Sequence, residues 1–386
     1  MITFWSKDEH GVTTARLLLR IVVLLLLLNT LACRTTGSSR EEPVTTPLSP
    51  SPSTQAVTLV ATMTTPGISQ PQRLENLILD NPRGVAVAAT GDIFVADSGT
   101  ADNPFSGRII HRRRDGTAGP FAVRFGAATT VLAGEALLLG LSDVAVAGDR
   151  LFVVMGAGAW LESPLYSGNR LMELSQTGVI TDRFDIGGVE QQFDPDGQGI
   201  DSNAAGVAVE PTGAIWLSDA AGNWVARVTP SQTSGAYEVS SITAFPAIDD
   251  REAVPTGITV GPDGSAYVAL FNCKQPGLGQ GGIARVSADG NYDIVVTGLT
   301  SPIDVAFDPS GRLYILEFAN DNAPQSGKLS VVELGGSVHM LVDQLNYPTS
   351  MSIDLEGRIY VAEMATPSGG SSGSGRLLMI DVATAP

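Results

Sequence analysis

The sequence predicts an all-β fold, a six-bladed β-propeller with four-stranded blades, and three observations predict it. One phrase recurs six times, the steps between copies have the length of a four-stranded unit, and turn residues punctuate the chain throughout. The phrases are "RGVAVAATGDIFVADSG", "SDVAVAGDRLFVVMGAG", "AGVAVEPTGAIWLSDAAG", "TGITVGPDGSAYVALFN", "IDVAFDPSGRLYILEFAN" and "TSMSIDLEGRIYVAEMA". Their equivalent residues are Gly84, Asp143, Gly206, Gly257, Asp304 and Ser350, spaced 59, 63, 51, 47 and 46 residues apart. Steps of this size match a four-stranded sheet, and are too long for leucine-rich or ankyrin units. With 43 Gly and 23 Pro in 386 residues and a hydrophobic fraction of 43%, the composition favours many short strands over a helical bundle or a disordered chain.

Each phrase reads as two strands around a turn. Runs such as "VAV", "ITV" and "VAF" are rich in β-branched residues and suit an inner strand buried on both faces. "GPDG", "DPSG" and "EPTG" are turns, with Pro fixing φ, Asp or Thr capping the turn and Gly adopting positive φ. "IFVAD", "AYVAL" and "LYILE" are second strands. Third strands follow at 107–113, 169–174, 223–228, 281–286, 327–334 and 375–380, and outer strands such as 292–299 and 338–345 complete the blades. The sixth unit has only three strands before Pro386, so 57–63 or 74–79 is expected to close the ring from the N-terminal side.

The first 56 residues read as an address and a tether. Lys7, Arg16 and Arg20 precede the apolar run Ile21–Leu28 and "LAC", the order of a secretory signal. The run is too short to span a bilayer, which takes roughly 20 residues. Residues 1–32 are therefore assigned to a lipoprotein-type signal peptide, with Cys33 the lipidation site; ordinary cleavage nearby or an uncleaved anchor is the alternative. Residues 33–56, rich in Ser, Thr and Pro, form a disordered tether. Residues 57–386 form the propeller. The expected location is exported and membrane-anchored on the extracytoplasmic side, or secreted where Cys33 carries no lipid. Cys273 is then alone, and "FNCKQPG" supplies no base, so it reads as a small core residue.

"LDNPRGVAV" (79–87), "IDSNAAGVAV" (200–209), "AVPTGITVGPDGSAYV" (253–268) and "TGLTSPIDVAFDPSGRLYILE" (297–317) resemble the ScyD/ScyE family of bacterial exported propellers, over roughly residues 57–386. The architecture is also similar to NHL-repeat and gluconolactonase-like propellers. The resemblance implies the fold and an exported location and says little about chemistry. This chain departs from the family in its lipid anchor and in "DSNAAG", where "DSNPYG" is more usual.

The net charge of −17 argues against nucleic acid, whose recognition needs a basic footprint; the run His111–Arg114 reads as the outer face of a strand. Strand-one entrances and strand-two exits share one rim of a propeller. Asp97, Asp201, Asn203, Asp304 and Glu317 fall there and are the expected ligands of a divalent cation, Ca2+ or Mg2+, since hard cations take oxygen donors. The competing expectation is that these acids bond to backbone N–H groups of neighbouring turns. "FDPDGQGIDSN" (193–203) imitates the opening of a calcium loop but lacks its closing Glu, and reads as a lid or contact loop. No catalytic residue is assigned. His10 lies in the leader and His111 and His339 on outer strands, which leaves no histidine for a triad or a lyase at the mouth.

Long insertions at 100–107, 158–169 and 187–203 favour a binding or scaffold propeller. Its loop face is expected to hold a protein, peptide, glycan or small molecule, the chain being monomeric and touching membrane only through its anchor. The alternative is a metal-dependent hydrolase or lactonase of gluconolactonase type, with a cation as Lewis acid and a carboxylate as base.

Overall fold

Alternation of buried runs and tight turns leaves each segment of this chain one low-energy choice, a short antiparallel strand packed on both faces. The computed structural model describes residues 67–383 apart from 101, 104, 133–134, 157–167, 232–235, 247–251, 273–278, 320–322, 334–335 and 365–371. The leader, Cys33, the tether, 57–63 and Cys273 lie outside the described residues. No helix among the described residues is long and apolar enough to cross a membrane.

Six four-stranded antiparallel sheets form the ring, as the repeats predict. Blade 1 runs Pro82–Val87, Ile93–Asp97, Gly107–Arg112 and Ala118–Phe125. Blades 2 to 5 start at Leu141–Ala147, Ala204–Val209, Pro255–Val260 and Pro302–Phe307, and blade 6 at Pro348–Ile353. The innermost strands touch in cyclic order, blade 6 against blade 1 included.

Closure uses two short N-terminal pieces. Gln72–Arg73 is the outer strand of blade 6, paired with Met379 and Leu378, and Gly67–Ile68 pairs with Ala383 and Val382. The expected segment 74–79 contributes at its ends: Leu74 N–H donates to the Leu377 carbonyl at 2.9 Å, and Leu79 bridges Gly375. Leu77 and Leu79 fill the core between blades 6 and 1. The ring is thus sealed by both pairing and apolar burial, which removes the open edges of the first and last sheets.

Second strands are the most buried part of each blade: "IWLSD", "AYVAL", "LYILE" and "IYVAE" are buried along their whole length. The turns before them carry the predicted chemistry. In "DPSGR" the Asp308 carboxylate accepts from the Ser310 and Arg312 amides, both at 2.9 Å, and from Arg312 Nε at 2.6 Å, while Gly311 takes φ +82°. Asp354 and Arg358 repeat the arrangement.

Two additions explain the longest repeat steps. A hairpin, Ala128–Leu132 with Glu135–Leu139, precedes blade 2. A helix, α1 (Ile186–Phe193), precedes blade 3; Asp185 caps its start by accepting from the Gly188 amide at 3.0 Å. The sequence reads 187–203 as an insertion, where the structure has a helix over its first part, and the hairpin is an element that the repeat pattern does not predict.

The innermost strands approach so closely that glycine is required at the seam. A Cβ on Gly84 would stand 2.7 Å from the Asp143 Cα. Gly84→Ala is expected to cost about 1–3 kcal/mol through overpacking, whereas Gly119→Ala, where a Cβ meets nothing within 4 Å, stays near wild type in urea unfolding.

Candidate functional site

Strand-two exits place carboxylates at the rim, where the chain must also turn into strand one of the same blade. Those turns expose amides that need acceptors once water is excluded. Asp97 accepts from the amides of Asp80 and Asn81 at 3.0 and 2.7 Å, and Asp219 from that of Asn203 at 2.8 Å. Glu317 accepts from the Thr300 amide at 2.6 Å and Glu363 from that of Asn346 at 2.7 Å. In four blades a buried acid therefore clamps the main chain 16 or 17 residues upstream. Arg108 adds to the first clamp, its Nη2 standing 2.9 Å from both Asp97 and Asp80. Burial raises the pKa of Asp97, Asp219, Glu317 and Glu363, and the donated hydrogen bonds oppose the rise.

The exit residue is apolar at Met155 in blade 2 and Leu270 in blade 4, and two asparagines, on blades 2 and 3, each support the entrance of the next blade. Asn169 Oδ1 accepts from the Ala204 amide, and Asn223 Oδ1 from that of Val254, each at 3.1 Å.

Deeper in the ring, Asp304 and Asp143 occupy equivalent positions on blades 5 and 2, which face one another across the axis. Asp143 accepts from its neighbour Val144 at 2.8 Å and from Val207 of blade 3 at 3.0 Å. Asp304 accepts from Val305 at 2.8 Å and from Met351 of blade 6 at 2.7 Å. Ser350 does the same for Val85 of blade 1 at 3.2 Å. Each side chain stitches one blade to the next. Burial lifts Asp304 to about 7, and burial together with the charge of Asp304 lifts Asp143 well above the carboxylate range.

The rim of the axis is apolar over blades 3 to 6. Ala220, Val254, Phe271, Phe318, Tyr347 and Met364 form one buried cluster, with Phe318 ring centroids 6.3 Å from Phe271 and 5.7 Å from Tyr347. Val254 and Tyr347 enter it from left-handed backbone, at φ +51° and +49°, a strained conformation for such side chains. On the blade 1 side lie polar groups. Arg83, whose pKa burial lowers to about 9 against the pull of Asp97, has an unpaired Nη2, and the Asn81 side chain is unpaired too. These could hold an anionic or polar group at the axis.

The expected cation ligands are thus distributed over the ring: Asp97 on blade 1, Asp201 and Asn203 before blade 3, Asp304 and Glu317 on blade 5. Among the described residues, one group of three acids brings oxygens within 4.8 Å of one another, and it is Glu190, Asp194 and Asp196. Asp194 and Asp196 belong to the 193–203 loop that the sequence marked. Glu190 was missed, because it sits on α1, which the two glycines at 187 and 188 conceal. His111 lies on the third strand of blade 1, stacked on Phe94 at 4.6 Å, and His339 on the outer strand of blade 5.

No protein-family model and no curated sequence matches the chain. Among solved structures, the putative oxidoreductase (glucose dehydrogenase) from Thermus thermophilus is 17% identical, covering 82% of this chain and all of that one, with TM-score 0.54. The PQQ-bound aldose sugar dehydrogenase from Streptomyces coelicolor is 13% identical, covering 83% and 100%, also at 0.54. The gluconolactonase XC5397 from Xanthomonas campestris is 15% identical, covering 83% and 96%, at 0.50. At such identities the likeness shows the fold, a six-bladed propeller of the kind found in gluconolactonases and streptogramin B lyases.

Asp97→Ala leaves the Asp80 and Asn81 amides without their acceptor and takes from Arg108 one of its two carboxylate partners, and is expected to cost about 2–4 kcal/mol in denaturant unfolding. The Asp143 and Asp304 shifts also set a pH dependence. Their folded pKa values lie above the unfolded value of about 4, so the native state holds protons that the unfolded chain has released, and stability falls as pH rises from about 4 through about 7. The melting temperature should be higher at pH 5 than at pH 8, and Asp304→Asn should reduce that difference.

Proposed function

We propose that the chain is an exported, lipid-anchored propeller of the ScyD/ScyE kind that binds a protein, peptide or glycan at its loop face. The observation that carries this reading is a cleft of about 690 Å3 built by the 100–107 insertion against the outer strand of blade 1. Its volume is in the range of ligand sites. Thr100, Asp102, Asn103, Phe105, Arg108 and Arg124 line it. Phe105 is 44% exposed and Arg124 sits 5.7 Å over its ring. An aromatic face bordered by a guanidinium, an amide and an acid suits a sugar ring or a short peptide.

The rest of the rim supports the same reading. Among the described residues four rim acids are engaged by main-chain amides, and no group of three acids that could hold a metal for a lactonase reaction stands among them. Function then rests with loops on a rigid ring. The signal-like order of residues 1–32 and Cys33 support a ring held at the end of a tether outside the cytoplasm.

Two experiments test this. Glycan and peptide arrays probed with the mature chain should give a ligand whose binding Phe105→Ala weakens about tenfold or more; lactone hydrolysis by the purified chain, or binding indifferent to Phe105, contradicts the proposal. Cys33→Ala should move the protein from the membrane fraction to the soluble exported fraction, and retention in the membrane fraction would exclude the lipid anchor.

A further inference from the structure

Three acids crowd together outside the axis, on the connection between blades 2 and 3. Asp194 ends α1 in a left-handed conformation, φ +39°, and its amide donates to the Glu190 carbonyl at 2.9 Å. The chain then loops through Asp196 with Gly197 at φ +69° and Gly199 at φ +102°. This folding brings one oxygen each of Glu190, Asp194 and Asp196 within 4.8 Å of one another. The aspartates are held in place: Asp194 Oδ1 accepts from the Gly199 amide at 3.0 Å, and Asp196 accepts from the Gln198 amide at 2.9 Å and from Asn223 Nδ2 at 3.1 Å.

Glu190 supplies the independent observation. It is 0% exposed. Its Oε2 accepts from the Trp224 indole Nε1 at 2.6 Å, which fixes the carboxylate, and the Asp201 amide also bears on it, while Oε1 is buried with no donor at full hydrogen-bond geometry. Gly222 permits the approach, since a Cβ there would stand 2.6 Å from Glu190 Oε2. A buried carboxylate oxygen left unpaired beside two further carboxylates is costly without a counter-charge. Among the described residues no Lys or Arg forms an ion pair with any of the three, and the two aspartates are half-buried, open enough for an ion to enter.

We propose that Glu190, Asp194 and Asp196 bind a Ca2+ ion. The donors are all hard oxygens, and they lie on a helix end and a glycine-rich loop. Such a frame adapts to the six to eight oxygens that Ca2+ takes more easily than to the strict octahedron of Mg2+. Water and loop carbonyls complete the shell. The ion ties α1 to the rim turn of blade 3 through Glu190, Trp224 and Asn223, and so fixes the 186–203 connection on the loop face. This assignment is separate from the cleft at Phe105 and stands whether or not that cleft binds a ligand.

The test is a titration of the intact mature chain with Ca2+ by calorimetry, paired with terbium luminescence sensitised by Trp224. One ion per chain, luminescence that Ca2+ competes away, and a Ca2+-dependent rise in melting temperature are expected. Asp194→Asn and Asp196→Asn, at half-buried positions that fold without the charge, should each weaken binding about tenfold or more, and Glu190→Gln likewise. Asp289→Asn, at an exposed turn on blade 4, should leave it unchanged. The absence of saturable binding at millimolar Ca2+, or binding that survives Asp194→Asn and Asp196→Asn together, overturns the proposal; Mg2+ binding as tightly as Ca2+ overturns its choice of ion.

Discussion

A buried carboxylate accepting main-chain amides is the interaction on which the ring depends. Strand one of each blade enters the interior from a turn whose N–H groups lose contact with water, and only a nearby acceptor can compensate them. Asp97, Asp219, Glu317 and Glu363 answer that need from the end of strand two. The distance in sequence is nearly constant because a strand, a turn and a strand separate donor from acceptor in each of these four blades. Desolvating an acid is expensive, and here multiple donated hydrogen bonds offset that cost. An acidic chain is thereby built whose acids are internal fasteners as much as surface charge.

The same logic continues inward. Asp143, Asp304 and Ser350 each reach the amide of the next blade, while the glycines at Gly84 and Gly257 give room for the Asp that follows on the neighbouring blade. Of the six equivalent positions two are Asp, one is Ser and three are Gly, and each Asp packs against a glycine of the preceding blade, where close packing leaves no room for a second side chain. Above this layer the aromatic cluster around Phe318 fills the rim on one side. Much of the axis is thus given to cohesion between blades, while the insertions lie outside the seams.

Much of this was legible in the sequence. The six turns announced themselves through Pro, Asp and Gly, and the β-branched runs between them fixed strand one and strand two in every blade. Of the two expected closing segments, 74–79 stands just after the observed outer strand Gln72–Arg73, and 57–63 lies outside the described residues. Helix α1 was not legible, since eight residues with glycines at 187 and 188 carry neither propensity nor a clear period. Nor was the hairpin at 128–139, whose two runs look like one more outer strand. The rim acids were visible by type and place, but their role depends on where upstream amides end up, which spacing alone does not state. Asp194 and Asp196 drew notice as a fragment of a calcium loop, yet the residue that completes their group lies upstream on the concealed helix.

The central claim is that the rim acids serve the backbone and that the chain's cation chemistry lies off the axis. A crystal structure of the mature chain soaked with Tb3+, read through its anomalous difference map, tests this most directly. A strong peak beside Glu190, Asp194 and Asp196, with none among Asp97, Asp304 and Glu317, is the result the account predicts. An ion on the ring axis coordinated by those clamping carboxylates, with the α1 loop bare, would contradict it.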